Sequence, residues 1–283
     1  MIVPEADKRV LESLAEHKYL TASQMVQLGI RTDTSNVNKV LRKMKHGTGK
    51  VIDEVSSKEL GGGKDIENIY FLTKKGVSVL TGILEYDANN VRIPHKNKEK
   101  KLDSYFHRRD TITYSIHFHT WAKENGIDIE LYKEYFEKEE TPVGTRDKTW
   151  IFENDGKSVN ADSLCRFNKD GQQHSFLMEL HRGNDVKKFE WQFLERAEAI
   201  AEDALKKRLE LTTERHTKMV WVFEHDSTMK VAMRRVWNNP VYAGLKDIVL
   251  FKTVQEVERE FGSAWHTCDG RTVDFFGQDE KIA

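Results

Sequence analysis

The sequence predicts a mixed α/β (α+β) chain of two modules. A small helical module carrying a β-hairpin precedes a larger α/β sandwich built on a central mixed sheet. Length and apolar content carry part of this: 283 residues with 38% hydrophobic side chains suffice for two ordinary cores and exclude a disordered chain. Charge carries another part. Residues 1–110 hold 20 Lys+Arg against 15 Asp+Glu, and the remainder holds 25 against 31, an asymmetry that the overall net charge of −1 conceals. Finally, apolar spacing changes along the chain, from three short helical stripes to alternating strands and helices.

Elements of the first module, 1–85, follow in order. Val10, Leu11 and Leu14 form the stripe of a helix over about 5–17. In LTASQMVQLGI, Thr21 fits an N-cap with Gln24 completing a capping box, and Gly29 ends the helix. A third helix starts in TDTSNVNKVLRKMKHG, capped by Asp33 or Thr34. Val37, Val40, Leu41 and Met44 face inward, leaving Ser35, Asn36, Asn38, Lys39, Arg42 and Lys43 to face outward. VIDEVS (51–56) and NIYFLT (68–73) read as strands around the turn-rich LGGGKD. Three helices and then a hairpin is the order of a winged helix. Residues 31–50 hold six Lys+Arg and one Asp on or beside the third helix. In a helix-turn-helix that helix enters the major groove of double-stranded DNA, short polar side chains reaching bases and basic ones neutralising phosphates. Lys64 at the wing tip would join them. The alternative is a solvated face on a protein-interaction module.

Residues 86–104 are polar and almost without core residues, a linker or exposed loop. The interval 92–109 holds seven Lys+Arg against two acids, ending in Arg108 and Arg109. It can follow a phosphate backbone or merely be solvated.

The second module, 105–283, begins with YFHRRDTITYSIHFHTWAKENG, a helix ended by Gly126, and IDIELYKEYF, a strand. SVNADSLCRF and SFLMELHR form a hairpin around NKDG (168–171). Residues 185–211 are helical, with Val186, Phe189, Phe193, Ala197, Ile200 and Ala204 at three- and four-residue steps. KMVWVFEH and DIVLFKT are strands separated by the helix TMKVAMRRVW. Along SFLMELHR, Leu177, Glu179 and His181 share one face, and Phe176, Met178 and Leu180 the other. Asp162 and Glu179 lie about equally far from the hairpin turn, so two carboxylates meet at one end of a mostly apolar sheet. Like charges that close are unfavourable unless a cation lies between them. Oxygen donors select Mg²⁺ or Mn²⁺, which can activate water and neutralise charge on a phosphodiester.

An acid on one strand followed by Glu-x-Lys on its partner is the pattern of PD-(D/E)xK nucleases. Ala161-Asp162 resembles its first element and Glu179-Leu180-His181 its second, with His181 in place of lysine. A neutral imidazole can accept a proton or ligate a metal; the substitution equally suits a degenerate copy. Lys187 and Lys188 on the next helix can supply the missing positive charge. Most of the chain, from the YFLTKKG segment closing the hairpin to FLMELHRG, resembles the replication-relaxation family, which includes the MobC-type mobilisation relaxases. That resemblance implies a winged helix, a restriction-endonuclease-like catalytic domain and metal-dependent nicking of DNA at an origin of transfer. It also implies partnership with other mobilisation or coupling proteins. In that family a carboxylate often stands where this chain has His181, so the third ligand stays open.

His117-Phe118-His119 is a competing candidate, because His-hydrophobe-His on a strand is the metal element of tyrosine relaxases. On a helix, side chains two apart cannot share a metal. The alternatives to a nicking relaxase are a non-catalytic winged-helix regulator or replication accessory protein and a plain double-strand endonuclease. Cys165 and Cys268, far apart, suit free thiols in a reducing compartment. With no apolar core in MIVPEADKRV and no stretch near 20 apolar residues, the expectation is a soluble cytoplasmic protein without a membrane segment.

Overall fold

The computed structural model describes residues 3–47, 49–63, 65–88, 91, 105–142, 144–154, 157–211 and 217–276. Lys64 and residues 89–90 and 92–104 of the 86–104 segment lie outside the described residues. Among those described are ten helices, one of them 3-10, and a mixed seven-stranded sheet. No described helix is long and apolar enough to cross a membrane. The chain divides into two compact units, Met1–Ile116 and His117–Ala283.

In the first unit, α1 (Glu5–His17), α2 (Ala22–Gln27) and α3 (Thr34–His46) precede an antiparallel hairpin of β1 (Ile52–Val55) and β2 (Ile69–Leu72). The capping box of α2 forms as its sequence demands. Gln24 N donates to Thr21 Oγ1 at 3.2 Å, and Thr21 N donates to Gln24 Oε1 at 3.0 Å. Arg9 donates to the carbonyls of Leu28 and Gly29, both at 2.8 Å, satisfying the end of α2. Asp33, not Thr34, caps α3, accepting from Asn36 N at 2.8 Å. Val10, Leu14, Met25, Val37, Leu41, Ile52 and Leu72 are buried around these elements. Val40 is only half-buried. The helix α4 (Lys74–Ile83) follows, N-capped by Thr73.

Helix α5 (Tyr105–Glu124) ends at Gly126, whose φ of +64° a glycine adopts without strain. The sheet of the second unit runs β13-β12-β11-β10-β9-β8-β3, comprising β3 (Asp128–Glu134), β8 (Ser163–Lys169), β9 (Gln172–His181), β10 (Thr217–Phe223), β11 (Val249–Thr253), β12 (Trp265–His266) and β13 (Thr272–Val273). β3, β8 and β9 form an antiparallel meander, whereas β9, β10 and β11 run parallel. The two parallel connections carry α6 (Val186–Ala201) with α7 (Ala204–Leu209), and α8 (Asp226–Asn238) with the 3-10 helix Pro240–Leu245. A final short helix, α9 (Val254–Arg259), leads from β11 to β12. Leu164, Leu177, Trp221 and Phe251 cover one face of the sheet with Phe189, Phe193 and Met229 of the helices. On the other face Phe176 meets Phe118 edge-on at 5.0 Å and Phe275 at 5.7 Å. The face assignment read from alternation in SFLMELHR holds.

Two expectations need correction, and one element had no reading in the sequence. SVNADSLCRF is not one strand: β7 (Lys157–Asn160) pairs with β6 (Trp150–Asn154), and the chain enters β8 only at Ser163, leaving Asp162 at the joint. The helical stretch 185–211 is two helices, interrupted at Asp203 with φ +56°. A hairpin of β4 (Lys138–Thr141) and β5 (Gly144–Asp147) shows no apolar alternation. Cross-strand ion pairs, Lys138 to Asp147 and Arg146 to Glu139 at 2.7 Å, link its strands.

The β8–β9 turn is a two-residue Asp170-Gly171 loop with φ of +52° and +76°, the positive pair that a type I′ hairpin requires. It fixes the register that matters below. Phe176 is fully buried on β9, packed between Phe118 and Phe275, where little can collapse into a vacated ring. Phe176→Ala is expected to destabilise the second unit by about 3–5 kcal/mol in denaturant unfolding.

Candidate functional site

The hairpin register places Ser163 opposite Met178, and Asp162, at the joint just before β8, bonds to the residues on either side of Glu179. Asp162 N donates to Met178 O at 3.0 Å, and Leu180 N donates to Asp162 Oδ2 at 2.7 Å. Strand alternation puts Glu179 on the face shared with Leu164 and Leu177, and the α6 charges of Arg196 and Lys188 act on Asp162. Both acids thus lie near the carboxyl end of β9, whose parallel neighbour β10 ends level with it at Phe223–His181. Crevices at such strand ends are the usual ligand positions of open α/β sheets.

Between them stands a group the sequence did not single out. Arg196 of α6, only 7% exposed, donates from Nε to Glu179 Oε1 at 2.7 Å, from Nη1 to Glu195 Oε2 at 2.9 Å and from Nη2 to the Asn160 carbonyl at 2.5 Å. Its charge also acts on Asp162, as does that of Lys188. Burial pushes both carboxyls up, Asp162 to about 7 and Glu179 to about 8, against the opposing pull of Arg196. Arg196 rises in turn through its carboxylate neighbours, chiefly Glu179.

His181 shares the face of Glu179 but is buried between aromatic rings, 5.3 Å from Phe223 and 6.0 Å from Phe189. Burial lowers its pKa, and Lys188 adds to that, which favours the neutral imidazole. Its Nε2 is buried with no hydrogen-bond partner among the described residues. Lys187 is exposed; Lys188, also exposed, is the lysine whose charge reaches Asp162 and His181. Arg196 was legible as a charge in an otherwise apolar stripe, since Phe189, Phe193, Arg196 and Ile200 follow steps of four, three and four.

The donors suit a hard divalent cation in kind, as two interacting carboxyls, but among the described residues neither Glu195 nor His181 joins them in a three-donor cluster. A cation there must displace both the guanidinium and the protons that burial retains on the pair.

On α3, Ser35, Asn38, Lys39, Arg42 and Lys43 are exposed. Asn36 is turned into the cap, donating to Asp33 Oδ2 at 2.7 Å and accepting from Lys39 Nζ at 3.1 Å. Lys43 pairs with Asp7 at 3.2 Å. Arg108 does not point outward: it is buried over the Tyr19 ring at 4.9 Å. Arg109 pairs with Asp110 at 2.6 Å and lies over Phe106. His117 and His119 sit on helix α5, so they do not form the strand-borne metal element.

No family model, curated protein or solved structure matches the chain.

Above about pH 8, where Glu179 is ionised, Arg196→Met should leave that charge buried without its cation and destabilise the second unit by about 3–5 kcal/mol. The pH dependence has a definite sign. In the unfolded chain these acids titrate near 3.8 and 4.5, so between there and about 8 the folded chain holds more protons. Stability contributed by the pair therefore falls as pH rises through that window. Without Arg196 the fall is expected to be steeper, giving a larger deficit at about pH 8.5 than at about pH 5 in urea unfolding.

Proposed function

We propose that the protein binds double-stranded DNA through its first unit and nicks one strand in its second, using Mg²⁺ or Mn²⁺ at Asp162 and Glu179. The first unit is taken as a winged helix and the second as a restriction-endonuclease-like domain. The observation that carries the proposal is the pair of buried, interacting carboxyls Asp162 and Glu179 near the carboxyl end of β9, where Leu180 N donates to Asp162 Oδ2. The exposed row Ser35, Asn38, Lys39, Arg42 on α3 supports duplex binding. The origin-of-transfer target and the mobilisation or coupling partners rest on the resemblance to the replication-relaxation family.

When bound, the divalent cation would lower the pKa of water and neutralise charge on the scissile phosphate. The residues divide the remaining work. Asp162 and Glu179 would hold the cation, with the Leu180 N–H fixing one Asp162 oxygen. His181, neutral and desolvated, would accept a proton or add a nitrogen ligand. Lys188 would supply the charge expected of a lysine in the Glu-x-Lys pattern, since it is the lysine that acts on Asp162. Lys187 then has no such part.

Arg196 favours a second reading. A guanidinium that already neutralises Glu179 lets the fold persist without metal, as a DNA-binding regulator with a degenerate nuclease domain requires.

Supercoiled plasmid carrying the cognate transfer origin separates these. Metal-dependent open circles are expected, abolished by EDTA and reduced at least about 100-fold by Asp162→Ala or Glu179→Ala. Linear product would indicate an ordinary endonuclease, and tight binding without cleavage under either metal would select the regulator. Separately, Arg42→Ala should weaken duplex binding across sequences. It should also flatten the salt dependence by about 0.9 for each phosphate no longer neutralised, read by anisotropy.

A further inference from the structure

The outer face of α6 and α8 combines exposed indoles with unpaired positive charge. Four of the five large apolar side chains most exposed among the described residues belong to these helices and the 3-10 helix after them: Trp191 (51%), Leu194 (40%), Trp237 (46%) and Val241 (75%). At about 3.6 residues per turn, Met229, Ala232, Met233 and Val236 turn α8 toward the sheet, while Val231, Arg234, Arg235 and Asn238 point away. Those outward residues line an open cleft of about 610 Å³ that includes Asn239 and, from α6, Glu190.

Glu190 is the one acid lining that cleft, and it is spent on Arg235 at 3.0 Å. Arg234 donates only to the Lys230 carbonyl of its own helix, at 3.3 Å, and has no ion-pair partner among the described residues. Lys246 lies over the Trp237 ring at 4.4 Å, a further cation beside the indole. Arg234 is about 60° from Trp237 around α8, so a cation and a ring stand side by side.

We infer that this face is a binding surface for single-stranded nucleic acid, separate from the carboxylate pair. The exposed apolar groups do not merge into one patch, as a protein hot spot would require; arginine and asparagine interrupt them. The Trp237 indole between Arg234 and Lys246 instead matches a strand whose base stacks and whose phosphates need counter-charge. Asn238 and Asn239 add amides that can donate to phosphate or base edges. The surface lies on the Glu190 flank of α6, whereas Lys188, Gln192 and Glu195 lie on the opposite flank, toward the acids. It therefore stands or falls independently of cleavage.

Anisotropy of labelled oligothymidylate and of a duplex of equal length, with the full chain, tests this. Trp237→Ala and Arg234→Ala should each weaken single-strand binding about tenfold, with duplex binding unchanged within about twofold. Trp237→Phe should retain most affinity, because a ring still stacks, and Arg234→Ala should reduce the salt slope by about 0.7. Arg42→Ala should show the reverse selectivity. All three substituted side chains are exposed, and melting temperatures check that the variants fold. Absence of single-strand binding by the wild type, or affinity indifferent to Trp237→Ala and Arg234→Ala, would overturn the inference. So would self-association, seen by sedimentation and abolished in Trp191→Ala, in a protein that ignores oligonucleotide; the face would then dock protein.

Discussion

The ion pair between Arg196 and Glu179 is the interaction on which the second unit's architecture depends. A carboxylate on the covered face of a central strand is costly to desolvate, and removing its partner from such a site costs more than the pair itself contributes. The guanidinium resolves this by reaching three places at once: Glu179 on β9, Glu195 on its own helix and the Asn160 carbonyl just before Asp162. One side chain thereby ties helix α6, the central strand and the approach to β8 together. The Asp162 carboxylate closes the other side, taking the Leu180 N–H where β8 begins.

That arrangement gives the carboxylate pair two possible counter-ions. Arg196 is tethered and monovalent, so it satisfies one oxygen of Glu179 with a directed bond. A divalent cation would carry more charge to both acids at once but must first release the protons that burial holds on them. Protonation, guanidinium binding and metal binding are therefore linked in a single equilibrium. The neutral, buried His181 beside them adds a nitrogen whose proton affinity is depressed by the same burial.

Much of this was legible in the sequence, for identifiable reasons. The Thr21–Gln24 capping box, the Asp33 cap and the 37-41-44 stripe are local signals within a few residues, and local signals survive tertiary context. The Asp170-Gly171 turn set the hairpin register, which brings Asp162, just before β8, against Met178 and within electrostatic reach of Glu179. What failed to show was what depends on distant partners. The β4–β5 hairpin links its strands through ion pairs between polar residues, so no apolar alternation announced it. Lys252 is buried because its ammonium donates to the carbonyls of Glu260, Phe261 and Ser263, a cage no spacing rule reveals. Arg108 and Arg109 read as a basic surface run, yet Tyr19 and Asp110 claim them. Arg196 stood in plain view inside an apolar stripe, but its meaning lay seventeen residues away on β9.

The deciding measurement is stoichiometric Mn²⁺ binding by electron paramagnetic resonance, comparing wild type, Asp162→Ala, Glu179→Ala and Arg196→Met. If the paired carboxylates form one cation site held shut by a guanidinium, the wild type binds one Mn²⁺ per chain and either alanine variant binds none. Arg196→Met should then bind more tightly, by at least about tenfold. Binding indifferent to Asp162 and Glu179, or none even in Arg196→Met, would contradict it: the pair would be a structural partner of Arg196 and nothing more.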